Sequence, residues 1–134
     1  MQSEKLESLW PADLGKSILF VPKNILQRQA DIFNKMMRKA LVADVTSTEA
    51  SLPNGVPAIV HEMRIKVPAL GYYSVTLVRM MHDHKIFPVS VYDAISDVSY
   101  KDLKNEESVT SALRTIFNSD AVKKTINGLI AQTA

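Results

Sequence analysis

A helical period of apolar and polar positions runs through residues 23–41. The apolar residues share one half of a helical wheel, and charged or amide side chains fill most of the other half. The apolar half consists of Ile25, Leu26, Ala30, Ile32, Phe33, Met36, Met37, Ala40 and Leu41. So broad an apolar face predicts a helix that lies flat on a sheet, because a coiled-coil seam is narrower.

A two-residue period follows over residues 58–93 and indicates three consecutive half-buried strands. In the first two strands the odd-numbered positions are mostly apolar, so we expect them to form the core face. The connection between these strands is predicted to be a three-residue loop that ends at Gly71, where a left-handed residue belongs. That loop makes Val67 face Tyr73 and places the even-numbered residues on the outer face.

The other segments predict further strands and helices. Residues 17–21 and 42–46 are short apolar runs that suggest additional strands. Pro88 cannot donate a hydrogen bond to a sheet, so the third strand is predicted at an edge or a bulge. Asn105 is a capping residue at the start of a helix, and residues 118–120 break that helix and begin a second one.

These elements predict an α+β fold in the form of a two-layer sandwich. An antiparallel β-meander of about three to five strands is covered on one face by the N-terminal amphipathic helix and the two C-terminal helices. We expect a single domain over residues 1–134, with residues 1–16 flexible or in a short helix. A composition of 46% hydrophobic and 22% charged residues is typical of a chain with a packed core.

The chain contains no cysteine, and its net charge is +2. Disulfides, thiol catalysis, thiolate zinc sites and iron–sulfur clusters are therefore excluded. Glu4 and Glu7 stand where a secretory signal carries positive charge, and no apolar run approaches the roughly 20 residues that span a bilayer. We expect a cytoplasmic protein without a membrane partner. The sequence has no phosphate-binding loop or zinc-protease motif, so no cofactor is predicted.

His82 and His84 are the most chemically suggestive pair in the sequence. Two histidines that are two residues apart share one face of an extended segment and bind transition metals. The predicted register places His61 opposite Arg79, about 10 Å from His82 at ~3.3 Å per residue, which is too far for a shared metal. We therefore interpret the segment as a solvated loop and predict no metal site. A metal-dependent enzyme that uses His82 and His84 is the second alternative.

Basic side chains occur in two groups that suggest phosphate binding. Asp31 is spaced to pair with the basic helix face, which favours a solvated surface over a nucleic-acid site. The alternative function is therefore nucleic-acid binding, either by the helix or by the first hairpin. The candidate residues are Arg28, Lys35, Arg38 and Lys39 on the helix, and Arg64 and Lys66 on the hairpin.

Val60, Val78 and Met80 are apolar residues that the predicted register places on the outer face. Such a patch usually marks an interface. Our leading interpretation is a small non-catalytic interaction module that acts through an exposed sheet face or edge. Its partner is another protein or a second copy of the chain, so we expect a homo-oligomer.

The segment from Met63 to Leu77, MRIKVPALGYYSVTL, resembles the basic hairpin of RelE/ParE-type toxins. Those toxins also place helices before an antiparallel sheet. The resemblance implies an RNA-directed toxin as a form of the nucleic-acid alternative. The two predicted C-terminal helices depart from the compact toxin core.

Overall fold

The computed structural model of the protein describes residues 7–15 and 21–133. Its five strands form one antiparallel sheet in the order β1-β2-β3-β4-β5, so β1 and β5 are the edges. Helix α1 packs on β1 and β2, and α2 packs on β4 and β5. The predicted α+β sandwich is therefore confirmed. The elements are α1 Pro22–Met37, β1 Val42–Ser51, β2 Pro57–Val67, β3 Tyr73–His82, β4 Val89–Asp93, β5 Val98–Leu103, α2 Glu106–Phe117 and α3 Asp120–Ala131.

Helix α1 ends earlier than the sequence pattern predicts. Its last helical residue is Met37, and the backbone then turns left-handed at Arg38 (φ 48°) and Lys39 (φ 72°). The side chain of Asn34 then joins helix to strand: its Oδ1 accepts from the Ala43 N–H at 2.6 Å, and its Nδ2 donates to the Ala43 carbonyl at 3.1 Å. This turn lets β1 fold back at once beneath α1.

The β2–β3 hairpin contains a β-bulge that corrects the predicted register. Near the loop the prediction is right, because Val67 faces Tyr73. Beyond Arg64 the pairing shifts by one residue, so that Met63 faces Val78 and Leu77 is the extra residue of the bulge. Both Leu77 and Val78 are consequently buried. A one-residue shift turns every later side chain of β3 to the opposite face of the sheet.

The end of the sheet also differs from the prediction. Strand β4 lies between β3 and β5 and begins after Pro88, so it is not the predicted edge strand, but its register with β5 shifts between Val89 and Val91, directly after the proline, as the predicted bulge requires. The Phe87–Pro88 peptide bond is cis. The sequence pattern did not reveal β5. The buried Asp93 ends β4 by accepting hydrogen bonds from the N–H groups of Ile95 and Ser96, which forms the turn into β5.

The C-terminal helices follow the predicted caps. The Asn105 side chain accepts from the Ser108 N–H at 2.8 Å, and the Ser119 hydroxyl accepts from the Val122 N–H at 3.2 Å. All three helices contribute to one core on one face of the sheet. The core side chains that are fully buried include Leu26, Leu41, Ile65, Val67, Val78, Met80, Val89, Val91 and Val109.

Residues 7–15, the N-terminal segment, form a turn in which the Leu14 N–H donates to the Pro11 carbonyl. Leu9, Trp10 and Leu14 of this segment are 93%, 76% and 60% exposed. Most of the strand predicted at residues 17–21 lies outside the described residues. Among the residues that are described, no helix is long and apolar enough to cross a bilayer.

Candidate functional site

An apolar groove lies between α1 and α3, above the sheet. Met63 of β2 and Leu77 of the bulge form its floor, and its volume is about 380 Å³. Ile32 and Met36 on its rim remain 47% and 67% exposed, although both belong to the apolar half of α1. Its walls consist of Gln29, Ile32, Phe33, Met36 and Met37 of α1, Phe117 and Asn118 at the end of α2, and Val122, Lys123, Ile126 and Asn127 of α3.

The walls of this α1–α3 groove combine adaptable and cationic side chains. Met36, Met37 and Met63 are unbranched thioethers that can fit irregular apolar surfaces. Lys123 is the cation that lines the groove, and the exposed Lys35 stands on α1 beside Met36. The groove therefore suits an apolar segment that carries negative charge.

The predicted patch of Val60, Val78 and Met80 does not exist as an outer surface. Val78 and Met80 are 0% exposed, because the bulge turns them to the helix-covered side. Val60 keeps its place on the outer face, where it lies opposite Met81.

The two basic groups differ in how their charges are neutralised. On the outer face of the sheet, Arg64 and Arg79 both bond the Glu62 carboxylate, and the ammonium of Lys66 lies 3.0 Å from the carboxylate of Asp44. Partial burial raises the pKa of the Glu62 carboxyl, but the hydrogen bonds and charges of the two arginines outweigh it and lower the pKa overall. The hairpin cations are therefore already paired.

The predicted basic helix face is divided, because Arg28 and Lys35 lie on α1 whereas Arg38 and Lys39 lie in the left-handed turn after it, and these four cations are not paired. Asp31 accepts instead from the Gln27 amide at 3.1 Å. Within residues 7–15 and 21–133, no ion pair includes Arg28, Lys35, Arg38 or Lys39, all of which are exposed. The pairing that the sequence spacing predicted for Asp31 is thus absent from the described part of the chain.

The bulge also brings together two histidines that the predicted register kept apart. The Nε2 atoms of His61 and His82 are 2.8 Å from each other, and both side chains are at least nine-tenths buried. The other ring nitrogen of His61 lies 2.7 Å from the hydroxyl of Ser47, its direct partner on the exposed edge strand β1. The other ring nitrogen of His82 lies 2.8 Å from the Asp83 carbonyl.

The Asp83 carbonyl fixes the direction of these bonds when both imidazoles are neutral. A carbonyl only accepts, so His82 donates from Nδ1 and accepts at Nε2. His61 must then donate from Nε2, which leaves its Nδ1 free to accept from the Ser47 O–H. We call this series of three hydrogen bonds the histidine chain.

Burial, the neighbouring His82 and the positive charge of Lys23 together lower the pKa of His61 from 6.5 to about 4. His61 is therefore neutral at physiological pH and can accept a proton from Ser47. His84, by contrast, is exposed and takes no part in the chain. No group of three or more His, Cys, Asp or Glu side chains that could hold a metal occurs within the described ranges.

Sequence reasoning missed both the groove and the histidine chain, because each depends on Leu77 and on the pairing beyond it. The one available signal was the consecutive apolar pair Leu77-Val78, which a regular half-buried strand does not require. Comparison with known proteins adds no further information: no family model matches the chain, and no curated protein or solved structure matches it.

Proposed function

We propose that this protein is a self-associating interaction module, in which the N-terminal segment of one copy occupies the α1–α3 groove of another. The observation that carries this proposal is the apolar match between the two surfaces. Leu9, Trp10 and Leu14 expose most of their area, and the groove exposes Ile32 and Met36. Exposed apolar surface on both sides favours burial of one against the other.

Charge complementarity supports the same pairing. Residues 7–15 contain Glu7 and Asp13 and no lysine or arginine. The groove contains Lys123, and Lys35 stands beside its rim. Opposite charges at the margin of an apolar contact raise the association rate and fix its orientation.

The occupant is inferred to be a second copy, because residues 7–15 do not line the groove of their own copy. Burial of three large apolar side chains contributes about 1.5–3 kcal/mol each, or roughly 5–9 kcal/mol per docked segment. Association costs about 4–15 kcal/mol, so one docked segment gives weak binding. A two-fold dimer exchanges two identical segments, which doubles the favourable contribution for a single association cost.

Trp10 is the only tryptophan in the chain and reports directly on this contact. We expect its emission to shift to shorter wavelength as protein concentration rises, in step with dimer formation measured by sedimentation. Trp10→Ala and Met36→Lys should each weaken the dimer by at least roughly 30-fold, the effect of losing about 2 kcal/mol at an interface hot spot. Tyr72→Ala, which removes an exposed aromatic at the β2–β3 loop, is the matched control and should leave the dimer intact.

Three results would contradict the proposal. A monomer with a water-exposed Trp10 at all concentrations means that the groove is empty. A monomer with a buried Trp10 means that the segment docks on its own copy. A dimer that tolerates Trp10→Ala uses another surface.

The unpaired cations of α1 and of the turn after it support a second candidate function, the binding of a nucleic-acid backbone. Arg28, Lys35, Arg38 and Lys39 make no ion pair with any other described residue, whereas Arg64 and Lys66 do. Neutralising several phosphates gives a steep loss of affinity with salt. Affinity for a single-stranded RNA probe should therefore fall steeply with salt and should weaken in Lys35→Gln and Arg38→Gln. Absence of binding at low salt would remove this candidate.

A further inference from the structure

We propose that Ser47 is an activated nucleophile that accepts acyl groups, with His61 as its general base and His82 as the residue that orients His61. This activity is independent of the α1–α3 groove. Its basis is geometric: a nucleophile bonded to a base, and a base bonded to an orienting group, define a serine nucleophile whatever the fold. The distances of 2.7 Å and 2.8 Å along Ser47, His61 and His82 meet both conditions.

The histidine chain places each proton where this reaction requires it. The Ser47 O–H points at a lone pair on His61, because His61 carries its proton on the nitrogen that faces His82. When His61 takes up the serine proton it becomes an imidazolium, and its bond to His82 becomes charge-assisted and stronger. The Asp83 carbonyl holds His82 in the tautomer that accepts this bond.

The location of Ser47 permits access by an acyl donor. The residue is exposed and lies in the middle of β1, whereas both histidines lie beneath the surface. β1 is an edge strand, and alternate N–H groups of an edge strand face away from the sheet. Such N–H groups are the donors that stabilise the oxyanion of acyl transfer. The open surface suits a small or extended ester.

The first half-reaction transfers the acyl group to the protein. The Ser47 oxygen attacks the ester carbonyl carbon, and the Ser47 proton moves to Nδ1 of His61. This attack forms the bond between the serine oxygen and the acyl carbon. The ester C–O bond then breaks, and His61 gives the proton to the departing alcohol. In the second half-reaction, water attacks the acyl-serine, His61 takes a proton from the water and gives it to the Ser47 oxygen, and a carboxylic acid leaves.

The test uses p-nitrophenyl acetate as the acyl donor, with mass spectrometry to locate the acetyl group. We expect Ser47 to be acetylated at least about 100-fold faster than Ser51, a serine at the exposed end of the same strand, because general-base assistance contributes at least that factor. His61→Gln should lower the rate at Ser47 by about 100-fold. His84→Gln, which changes an exposed histidine outside the chain, should leave the rate unchanged.

The pH dependence distinguishes this role from a purely structural one and needs no variant. Acetylation of Ser47 should follow neutral His61, with half of the maximal rate near pH 4 and a plateau above about pH 6. Lys23 and His82 are the charged or titratable groups that set this midpoint. Because His82 is a positioning residue, His82→Gln, which retains a hydrogen-bond acceptor, should keep the rate of Ser47 acetylation. His82→Leu should lower that rate.

Several outcomes would overturn the proposal. The first is acetylation of Ser47 that is no faster than that of Ser51. The second is a rate of Ser47 acetylation that rises with hydroxide concentration at every pH and reaches no plateau. The third is acetyl groups found only on lysines or histidines. Equal rates in the glutamine and leucine variants of His82 would remove its orienting role.

Discussion

Acidification should destabilise the protein through His61. In the unfolded chain this histidine has a pKa near 6.5, whereas in the folded protein the pKa is about 4. Between these values the unfolded state binds the proton and the folded state does not, so stability falls as pH falls. The free energy of unfolding that is lost through His61 is close to zero above about pH 7. It is about 2 kcal/mol at pH 5 and about 3 kcal/mol at pH 4, and it changes little below that. The total free energy of unfolding of a domain is typically only about 5–15 kcal/mol, so this loss is a substantial part of it.

Urea unfolding at pH 7, 5 and 4 measures this loss in the wild-type protein and in His61→Gln. Carboxylates also titrate in this range, but they are common to both proteins and cancel in the difference. The wild-type protein should lose about 2–3 kcal/mol more than the variant between pH 7 and pH 4, and His84→Gln should behave like the wild type. Identical pH dependence in wild type and His61→Gln would refute the reasoning, as would an NMR titration of His61 centred near 6.5.

Three further predictions test the packing and the surface by chemical denaturation. Met80→Ala should cost about 2–5 kcal/mol because Met80 is fully buried, whereas Met81→Ala on the outer face should cost clearly less; equal costs would contradict the bulge. Asn105→Ala should cost about 0.5–2 kcal/mol, because it removes the side-chain cap of α2. Glu62→Gln should cost about 1 kcal/mol or less, because nearly half of each arginine partner is exposed to solvent, and a larger loss would mean that the cluster is structural.

The layers of the fold could be predicted from the sequence, since the three helices and most of the strands repeat their own period, although β5 shows no such pattern. Asn105 and Ser119 cap their helices as their chemistry dictates. The register beyond Arg64 could not be predicted, because no glycine marks the bulge. The end of α1 could not be predicted either, because two consecutive basic residues adopt the left-handed conformation that is usually found at glycine.

The candidate sites were less predictable than the fold because they depend on which face a residue occupies rather than on its type. A regular register places His82 on the outer face, away from His61. One additional residue, Leu77, reverses this and also supplies half of the floor of the α1–α3 groove.

The two proposals therefore share a structural origin but remain separable by experiment. Met63 lies on the groove floor, and His61 lies two residues before it on the same face of β2, so the two sites adjoin each other. The residues to be tested do not overlap: Trp10 and Met36 report on the groove, whereas Ser47 and His84 report on the histidine chain or serve as its control. Deleting Leu77 removes the bulge but leaves Met63 opposite Val78, so His82 stays on the same face of the sheet as His61. Because the deletion removes Leu77 from the groove floor and leaves the pairing beyond it unchanged, it should weaken the dimer while Ser47 is still acetylated, which separates the two proposals.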